Sequence, residues 1–356
     1  MTLGILVCTL WPFNPFPPNR VSWLEQTNGI RFSGRGVVLS KAHSGPPSGD
    51  TSCSLELWIK PAQTDSVSTI LDIYEPDDPW RFLVRQYHVG LIVSRDVPNP
   101  RGRPVRFKMD VDDGFQSGQL SFITIVSGQN GTSVYFDGKL RKFAPHFQIS
   151  FDDLSGQLVL GSSTVQSNAW SGEIHGLAFY SGELTPEEVA EDYRDWTMGE
   201  AVNVARPNLT IAKYLFRERA GNIVHDQGIG QKDLFIPKTY QVPHHSFLTP
   251  PWREFDLSWE YFWDVLRNIL GFMPLGFLLC ALLSRSPQSH HAILYSMLFG
   301  GALSLSIEIL QAYIPQRGSG MSDVISNTLG TALGALLVRS MVQWKISLRI
   351  RRSRVT

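Results

Sequence analysis

Three long apolar segments near the C-terminus constrain the fold of this chain more than any other feature. They run from about 262 to 283, from 292 to 313 and from 323 to 342. Each is close to the ~20 residues that an α-helix needs to cross ~30 Å of hydrocarbon. The links between them, "SRSPQSHH" and "IPQRGSGMS", are short and rich in turn residues. The sequence therefore predicts three membrane-spanning helices, with neighbouring helices antiparallel.

The rest of the 356-residue chain is mixed in polarity and punctuated by Gly and Pro. Formal net charge is +0 and 43% of residues are hydrophobic, which argues against nucleic-acid binding and against wholesale disorder. The length suffices for two domains with cores of their own. Cys8, Cys53 and Cys280 show no metal-ligand spacing, so we interpret all three as packing residues.

Charged and aromatic flanks predict the orientation of the three helices. The tail "KISLRIRRSR" is strongly basic, and basic segments remain in the cytoplasm. Counting back from this tail, loop 284–291 lies inside and loop 314–322 lies outside. The aromatic residues Trp252, Trp259 and Trp263 then lie at the outer interface of the membrane. We therefore predict an integral protein of the cytoplasmic membrane with an extracytoplasmic large domain and a cytoplasmic tail.

Residues 1–28 fit the same topology less completely. "LGILVCTLW" is apolar but too short to span a membrane, and it lacks the basic region and cleavage site of a signal peptide. The Pro-rich stretch "PFNPFPPN" follows it. Our preferred interpretation is the end of a first transmembrane helix whose start is missing from the reading frame, followed by a linker.

Each apolar segment carries a carboxylate and an amide about one helical turn apart. The pairs are Asp264 with Asn268, Glu308 with Gln311, and Asp323 with Asn327. At spacings of three or four residues both members of a pair lie on one face of a helix. Arg317 adds a positive charge between the second and third segments.

An ionisable group inside a span costs about 2.5–3.5 kcal/mol on insertion scales, so it normally faces a partner or a wet cavity. Taken alone, Asp264 and Asp323 are equally well explained as interfacial caps or helix-packing contacts. Glu308 has apolar residues on both sides, which weakens that explanation. Three similar pairs in consecutive spans favour one shared polar site that includes Arg317 and opens away from the cytosol.

Three stretches within about 260–340 resemble the VanZ-like membrane family: "DVLRNILGFMPLGF", "SIEILQAYIPQR" and "SDVISNTLGTALG". Matched onto this chain, the characteristic positions of the family are Asp264, Asn268, Pro274, Gly276, Glu308, Gln311, Pro315, Arg317, Asp323, Asn327, Gly330 and Gly334. The family usually has a complete first helix ahead of this set, and here only residues 3–11 could represent it. The resemblance implies a location in the bacterial cell envelope, where a named member is associated with low-level resistance to a glycopeptide antibiotic. It does not imply a reaction.

Residues 29–240 contain short strand-like segments separated by turn signals, and "LELWI" and "FITIV" alternate clearly. This pattern is typical of an antiparallel sandwich. "TPEEVAEDYRDW" is predicted to form a helix, with Thr185 at N-cap, Pro186 at N1 and Glu188 at N3 in a capping box.

Parts of this region resemble the laminin G-like, concanavalin A-type jelly roll, above all "LVLGSSTVQSNAWSGEIHGLAFYSGELTPEEV". "AKYLFRERAGNIVHDQG" (212–228) resembles the strand that normally starts such domains, yet here it comes last, which indicates a permuted order. The predicted fold is multidomain, an all-β jelly-roll sandwich plus an all-α transmembrane helical bundle. The predicted parts are a partial membrane segment and linker (1–28), the sandwich (29–240), an aromatic linker (241–261), the VanZ-like helices (262–342) and a basic cytoplasmic tail (343–356).

This second resemblance implies that loops of the sandwich bind carbohydrate or protein, sometimes with calcium, although a fold alone does not establish function. The acidic loop candidates are Asp72, Glu75, Asp77, Asp78, Asp110, Asp112 and Asp113. "DVDDG" (110–114) lacks the ligand spacing and terminal Glu of a calcium loop, so we predict no cofactor and keep calcium as the alternative. Trp58, Trp80 and Trp170 are interpreted as core residues rather than sugar platforms.

The leading hypothesis is a bacterial envelope protein whose sandwich recognises a cell-wall glycan or an envelope protein. Its helices, in the lipid bilayer, would hold a polar site for a lipid-linked precursor. One alternative is an intramembrane enzyme or proton-coupled transporter that uses Glu308. The spans contain no Ser/His, Cys/His or metal set, so an enzyme is disfavoured and no catalytic residue is assigned. The other alternative is a membrane-anchored binding module.

Overall fold

The structure, a computed structural model, describes residues 4, 9–11, 13–41, 52–75, 78–97, 105–163, 169–198, 209–241, 243, 247–255, 259–284, 291–315 and 318–353. Two compact units are present. One is Phe16–His244, and the other combines Met1–Pro15 with His245–Thr356.

The unit Phe16–His244 is built mainly from strands. Its strands are β1 (Val21–Trp23), β2 (Ile30–Ser33), β3 (Val38–Ser40), β4 (Cys53–Pro61), β5 (Val67–Glu75), β6 (Asp78–Tyr87), β7 (Gly90–Val97), β8 (Val105–Val111), β9 (Ser121–Gly128), β10 (Gly131–Phe136), β11 (Lys139–Ala144), β12 (Gln157–Leu160), β13 (Ser171–Ser181), β14 (Thr210–Tyr214), β15 (Ile223–Val224) and β16 (Leu234–Phe235). A 3-10 turn at Phe151–Leu154 precedes β12, and helix α1 (Pro186–Met198) follows β13.

Within the described residues these strands form two antiparallel sheets. The first has the order β1-β2-β13-β4-β9-β10-β11 with β14 also paired to β13, and the second has the order β15-β16-β3-β12-β5-β6-β7-β8. The inward-facing side chains of both sheets make one core, in which Leu57, Phe82 and Trp170 are completely buried. The predicted antiparallel sandwich is confirmed.

The first and last segments of the sandwich lie side by side. Pro18 and Thr239 form an antiparallel bridge. The Asn19 side-chain amide donates to the Pro237 carbonyl at 2.8 Å, and the Tyr240 N–H donates to the Pro17 carbonyl at 2.8 Å. The segment 212–228 supplies the end of β14 and all of β15. Adjacent termini are the geometry that a permuted strand order requires.

Helix α1 covers the outer face of the first sheet. The Thr185 N–H donates to Glu188 Oε2 at 2.8 Å and the Glu188 N–H donates to Thr185 Oγ1 at 3.3 Å, which confirms the predicted capping box. Val189 and Trp196 are buried in a second apolar cluster with Phe122 of β9. Because side chains alternate along a strand, this cluster lies on the side of the sheet away from the main core.

The second unit is helical. Its elements are α2 (Pro251–Glu254), α3 (Trp259–Leu283), α4 (Ala292–Gln311) and α5 (Met321–Ser353). In the described part of the chain, three stretches are long and apolar enough to cross a membrane: Tyr261–Leu283, Ala292–Gln311 and Met321–Met341. This confirms the predicted apolar helices. Residues 9 and 10 are also helical, and Leu10 packs against a cluster that contains Phe272 of α3.

Glycines bring α3 and α5 into close contact. A Cβ atom at Gly276 would overlap the Thr331 backbone, and one at Gly334 would overlap the Met273 carbonyl. Gly330 faces the Ile269 carbonyl in the same way. Small residues at this spacing allow helix backbones to touch.

The cysteines match their predicted role where the structure describes them. Cys53 and Cys280 are buried and free. Burial raises the pKa of the Cys53 thiol, so it is a packing residue rather than a reactive one. Cys8 lies outside the described residues.

Candidate functional site

The start of α5 carries the main polar cluster of the helical unit. The Gly320 N–H donates to Glu308 Oε2 at 2.9 Å, and the Ser322 N–H donates to Glu254 Oε2 at 2.9 Å. The first N–H groups of a helix have no partner within that helix, and its N-terminus carries partial positive charge. Glu308 is only 2% exposed. A carboxylate from α4 therefore accepts from the amide just before α5 and one from α2 accepts from the second amide of α5, while the Met321 amide between them donates to the Thr249 carbonyl.

Two further hydrogen bonds join α5 to its neighbours. Asn268 Nδ2 on α3 donates to Asp323 Oδ1 at 2.7 Å. Asn327 Nδ2 donates to Ser304 Oγ on α4 at 2.9 Å. The other amide atom, Asn327 Oδ1, is buried and has no hydrogen-bond partner among the described residues. The polar side chains of three helices thus converge on one face of α5.

The remaining predicted residues make their hydrogen bonds outside this cluster or lie outside the described chain. Asp264 is largely exposed and accepts a hydrogen bond from Arg267 Nη1 at 2.9 Å on the surface of α3. Gln311 Nε2 donates to the Thr9 carbonyl at 3.1 Å. Pro274 lies inside α3, and Pro315 is buried just after α4. Arg317 lies outside the described residues, so its relation to the cluster stays a prediction.

The sequence interpretation missed two members of the cluster. Glu254 contacts the start of α5 across 68 positions of sequence, and no local pattern indicates so distant a contact. Ser304 was detectable, because it precedes Glu308 by one helical turn and shares its face. Asp323 interacts electrostatically with Glu254, Glu308 and Asp264. Chemically, such a cluster can hold a proton, a cation or the polar part of a larger molecule.

Several acidic candidates of the sandwich are not in loops. Asp72 is fully buried in β5, where Ser163 Oγ donates to its Oδ2 at 3.5 Å. Glu75 ends β5 and pairs with Arg81, and Asp110 lies in β8, 3.1 Å from Lys108 Nζ. The loop assignment of these three was wrong because strands β5 and β8 extend further than their apolar runs.

Of the other acidic candidates, Asp112 and Asp113 are exposed after β8, and Asp77 lies outside the described residues. Asp78 begins β6, so its loop assignment was also wrong, and its side chain lies outside the described residues. The described part of the chain contains no group of three or more His, Cys, Asp or Glu side chains that could hold a metal ion.

The structure places the three tryptophans that were predicted to be core residues in different environments. Trp170 is completely buried, and its Nε1 donates to Gln86 Oε1 at 2.7 Å, which confirms a core role. Trp58 is half-buried on the outer face of the first sheet, with its ring 5.3 Å from His175, so it lies outside the main core. The outward position follows from strand alternation, because its neighbours Leu57 and Ile59 point inward. The side chain of Trp80 lies outside the described residues.

A charged row crosses the outer face of the same sheet. Glu173 of β13 is paired in register with Arg31 of β2 and Lys60 of β4. Arg31 donates to Glu173 Oε1 from Nη2 at 2.8 Å and from Nε at 3.2 Å. Glu173 Oε2 lies 3.7 Å from Lys60 Nζ and 3.2 Å from His175 Nε2. Burial alone would raise the pKa of Glu173, but the Arg31 and His175 hydrogen bonds outweigh it and lower the pKa.

A buried carboxyl pair lies under α1. Glu56 of β4 is fully buried, and its Oε2 accepts hydrogen bonds from Tyr180 at 2.8 Å and Trp196 Nε1 at 3.1 Å. Its other oxygen, Oε1, finds no N–H or O–H donor among the described residues. Burial, followed by the charge of Asp192, raises the pKa of Glu56 well above its ordinary value. Asp192 lies within hydrogen-bonding reach of Glu56, so we infer that the two carboxyl groups share one proton.

Together these features define a protein with two parts, an antiparallel concanavalin A-type sandwich and a region of apolar, membrane-compatible helices with a buried polar cluster. Comparison with protein families agrees. Residues 33–190 match the model of the concanavalin A-like lectin/glucanases superfamily. Residues 197–343 match the VanZ/LLP1 family model. The chain therefore carries a laminin G-like sandwich followed by a VanZ-like region.

Solved structures resemble the chain distantly. A putative carbohydrate-binding protein from Bacteroides ovatus shares 12% identity, with a TM-score of 0.43 over 61% of this chain and 59% of its own length. The chain thus spans less than two thirds of that protein. A pentraxin from Limulus polyphemus shares 15% identity, with a TM-score of 0.31 over 44% of this chain and 82% of its own length. The CBM40 of a Ruminococcus gnavus sialidase shares 11% identity, with a TM-score of 0.35 over 48% of this chain and 98% of its own length. Curated proteins gave no significant match.

Proposed function

We propose that this protein is a bacterial cell-envelope membrane protein that couples recognition outside the cytoplasm to a polar site within its VanZ-like helices. The sandwich binds a glycan or a protein surface of the envelope. The cluster around the start of α5 binds the polar part of a lipid-linked cell-wall precursor. The single observation that carries the membrane half is the buried Glu308, held by Gly320 at the N-terminus of a membrane-compatible helix.

Glu308→Gln tests the membrane site. The amide retains the oxygen that accepts from Gly320 but removes the charge, so we expect the variant to insert and fold while losing envelope function. Function is measured as susceptibility of the bacterial host to a glycopeptide antibiotic and as accumulation of lipid-linked precursors. Ser306→Ala is the control, because that exposed side chain on the same helix as Glu308 bonds the Ala302 carbonyl of its own helix. Full function in a correctly inserted Glu308→Gln protein would contradict a working polar site.

Binding by the sandwich is tested with the full chain in lipid nanodiscs on a glycan array prepared from bacterial envelope saccharides. The proposal expects saturable binding that empty nanodiscs do not show. Absence of binding to every saccharide, together with no envelope protein captured by cross-linking in cells, would contradict it.

A plain membrane anchor is the second candidate. It is favoured by the hydrogen bonds that the cluster already makes within the unit, between Asn268 and Asp323 and between Asn327 and Ser304. Interhelical polar contacts of this kind stabilise membrane bundles without further function. Replacement of residues 262–342 by unrelated transmembrane helices of the same topology separates the two candidates, because an anchor tolerates that exchange and a polar site does not.

A further inference from the structure

The charged row of Arg31, Glu173 and Lys60 lines an open cavity of about 180 Å³ on the sandwich. Ser33 and Ser171 also line this cavity. The row is a product of strand register, because residues directly opposite in an antiparallel sheet project from the same face.

The side chains of the row differ in exposure. Glu173 is 13% exposed, whereas Arg31 and Lys60 are 55% and 37% exposed. The carboxylate is therefore the most buried member of the row, and the two cations are more accessible to a ligand. The buried His175, whose ring packs against Trp58, contacts the second carboxylate oxygen of Glu173 through Nε2.

The groups in this cavity that remain available to a ligand are N–H donors rather than carboxylate acceptors. Both oxygens of Glu173 already face Arg31, Lys60 or His175. Nη1 of Arg31 has no hydrogen-bond partner in the described part of the chain, since Nε and Nη2 make the contacts with Glu173. Lys60 approaches Glu173 only to 3.7 Å, which is too long for a hydrogen bond. Two cations against one carboxylate leave one excess positive charge.

We propose that this cavity binds the carboxylate or phosphate group of an acidic glycan. Planar guanidinium nitrogens and an ammonium group suit such an anion, and the Ser33 and Ser171 hydroxyls suit the ring hydroxyls of the sugar beside it. This inference rests on the proposed function of the sandwich and specifies its ligand. A neutral glycan would leave the free Arg31 and Lys60 donors without an anionic acceptor.

The test uses the full chain in nanodiscs of zwitterionic lipid and titrates three probes. These are oligogalacturonate, its methyl ester and a glycerol phosphate oligomer. We expect at least about tenfold tighter binding of a charged probe than of the ester, because hydrogen bonds to charged groups are the stronger class. Preference for galacturonate identifies a carboxylate source, and preference for glycerol phosphate identifies a phosphate source.

Arg31→Gln/Lys60→Gln is expected to remove that tenfold preference, and Lys108→Gln, in the exposed ion pair with Asp110 on β8, is the control expected to retain it. Lys60→Gln alone keeps the Arg31–Glu173 bond, so it reports on the cavity even where the double variant fails to fold. Equal binding of acid and ester, or a preference unchanged by these variants, overturns this inference and leaves glycan binding by the sandwich intact. Failure of all three probes and of the envelope glycan array overturns both.

Discussion

Replacement of Glu56 by Gln should change how the stability of the sandwich depends on pH. The folded pKa of Glu56 lies above its ordinary value of 4.5 because the group is buried beside Asp192. Its protonated form therefore contributes stability that is fully present below about pH 4.5 and is lost as pH rises through the folded pKa. Gln removes the titration. Its carbonyl oxygen accepts from Tyr180 and Trp196 as Oε2 does, and its NH₂ group donates to Asp192.

The magnitude follows from proton linkage. Each unit by which the folded pKa exceeds 4.5 corresponds to about 1.4 kcal/mol lost from the free energy of unfolding over that interval. In wild type, the free energy of unfolding therefore falls by at most about 1.4 kcal/mol per pH unit when one proton is lost. The positive charge of Lys213 interacts with both carboxyl groups and stabilises their ionised forms, which reduces this loss of stability. Its Nζ lies 5.2 Å from the centroid of the Trp196 ring. The Gln variant should be more stable than wild type at pH 8 and nearly equal at pH 4.5.

Hydrogen–deuterium exchange of the α1 amides in the full chain measures this effect, after correction for the intrinsic pH dependence of exchange. Protection of α1 should fall from pH 5 to pH 8 in wild type and stay level in Glu56→Gln. Glu191→Gln is the control, because it removes an exposed carboxylate from the same helix. Parallel pH profiles for wild type and Glu56→Gln would refute the shared proton.

Three further substitutions test packing and capping. Gly276→Ala should reduce the thermal stability of the helical unit, because its Cβ would overlap the Thr331 backbone, whereas Gly271→Ala on the same helix meets open space and should be tolerated. Thr185→Ala should cost about 1 kcal/mol of α1 stability through loss of the cap, measured as faster exchange of its first-turn amides. Trp170→Ala should cost about 3–5 kcal/mol in chemical denaturation of the sandwich, and a cost under about 1 kcal/mol would contradict its core role.

The sequence was most informative where periodicity is local. Alternation in "LELWI" and "FITIV" identified β4 and β9, and apolar runs of about 20 residues identified α3, α4 and α5. The α1 cap was predictable because Thr185 and Glu188 are three residues apart. Short edge strands such as β15 and β16 carry two residues each, which is too little sequence for a periodic signal.

The contacts of the polar side chains were less predictable, because they join distant parts of the chain. Same-helix spacing suggested Asp323 with Asn327, but their observed partners are Asn268 and Ser304 on other helices. The Glu56–Asp192 pair likewise joins β4 to α1. Sequence spacing identifies which residues share a helix face, whereas the partner that faces them depends on how helices and sheets pack.

A carboxylate at position 308 has a physical reason that needs no ligand. Where the start of a helix is buried against other parts of the protein, its first amides cannot turn to water, so those parts have to supply the acceptors. Glu308 and Glu254 supply them to Gly320 and Ser322. This role requires an oxygen acceptor at 308 but no negative charge, whereas the proposed headgroup site requires the charge. Glu308→Gln therefore separates the two roles within one residue, because capping survives the substitution and ligand binding does not.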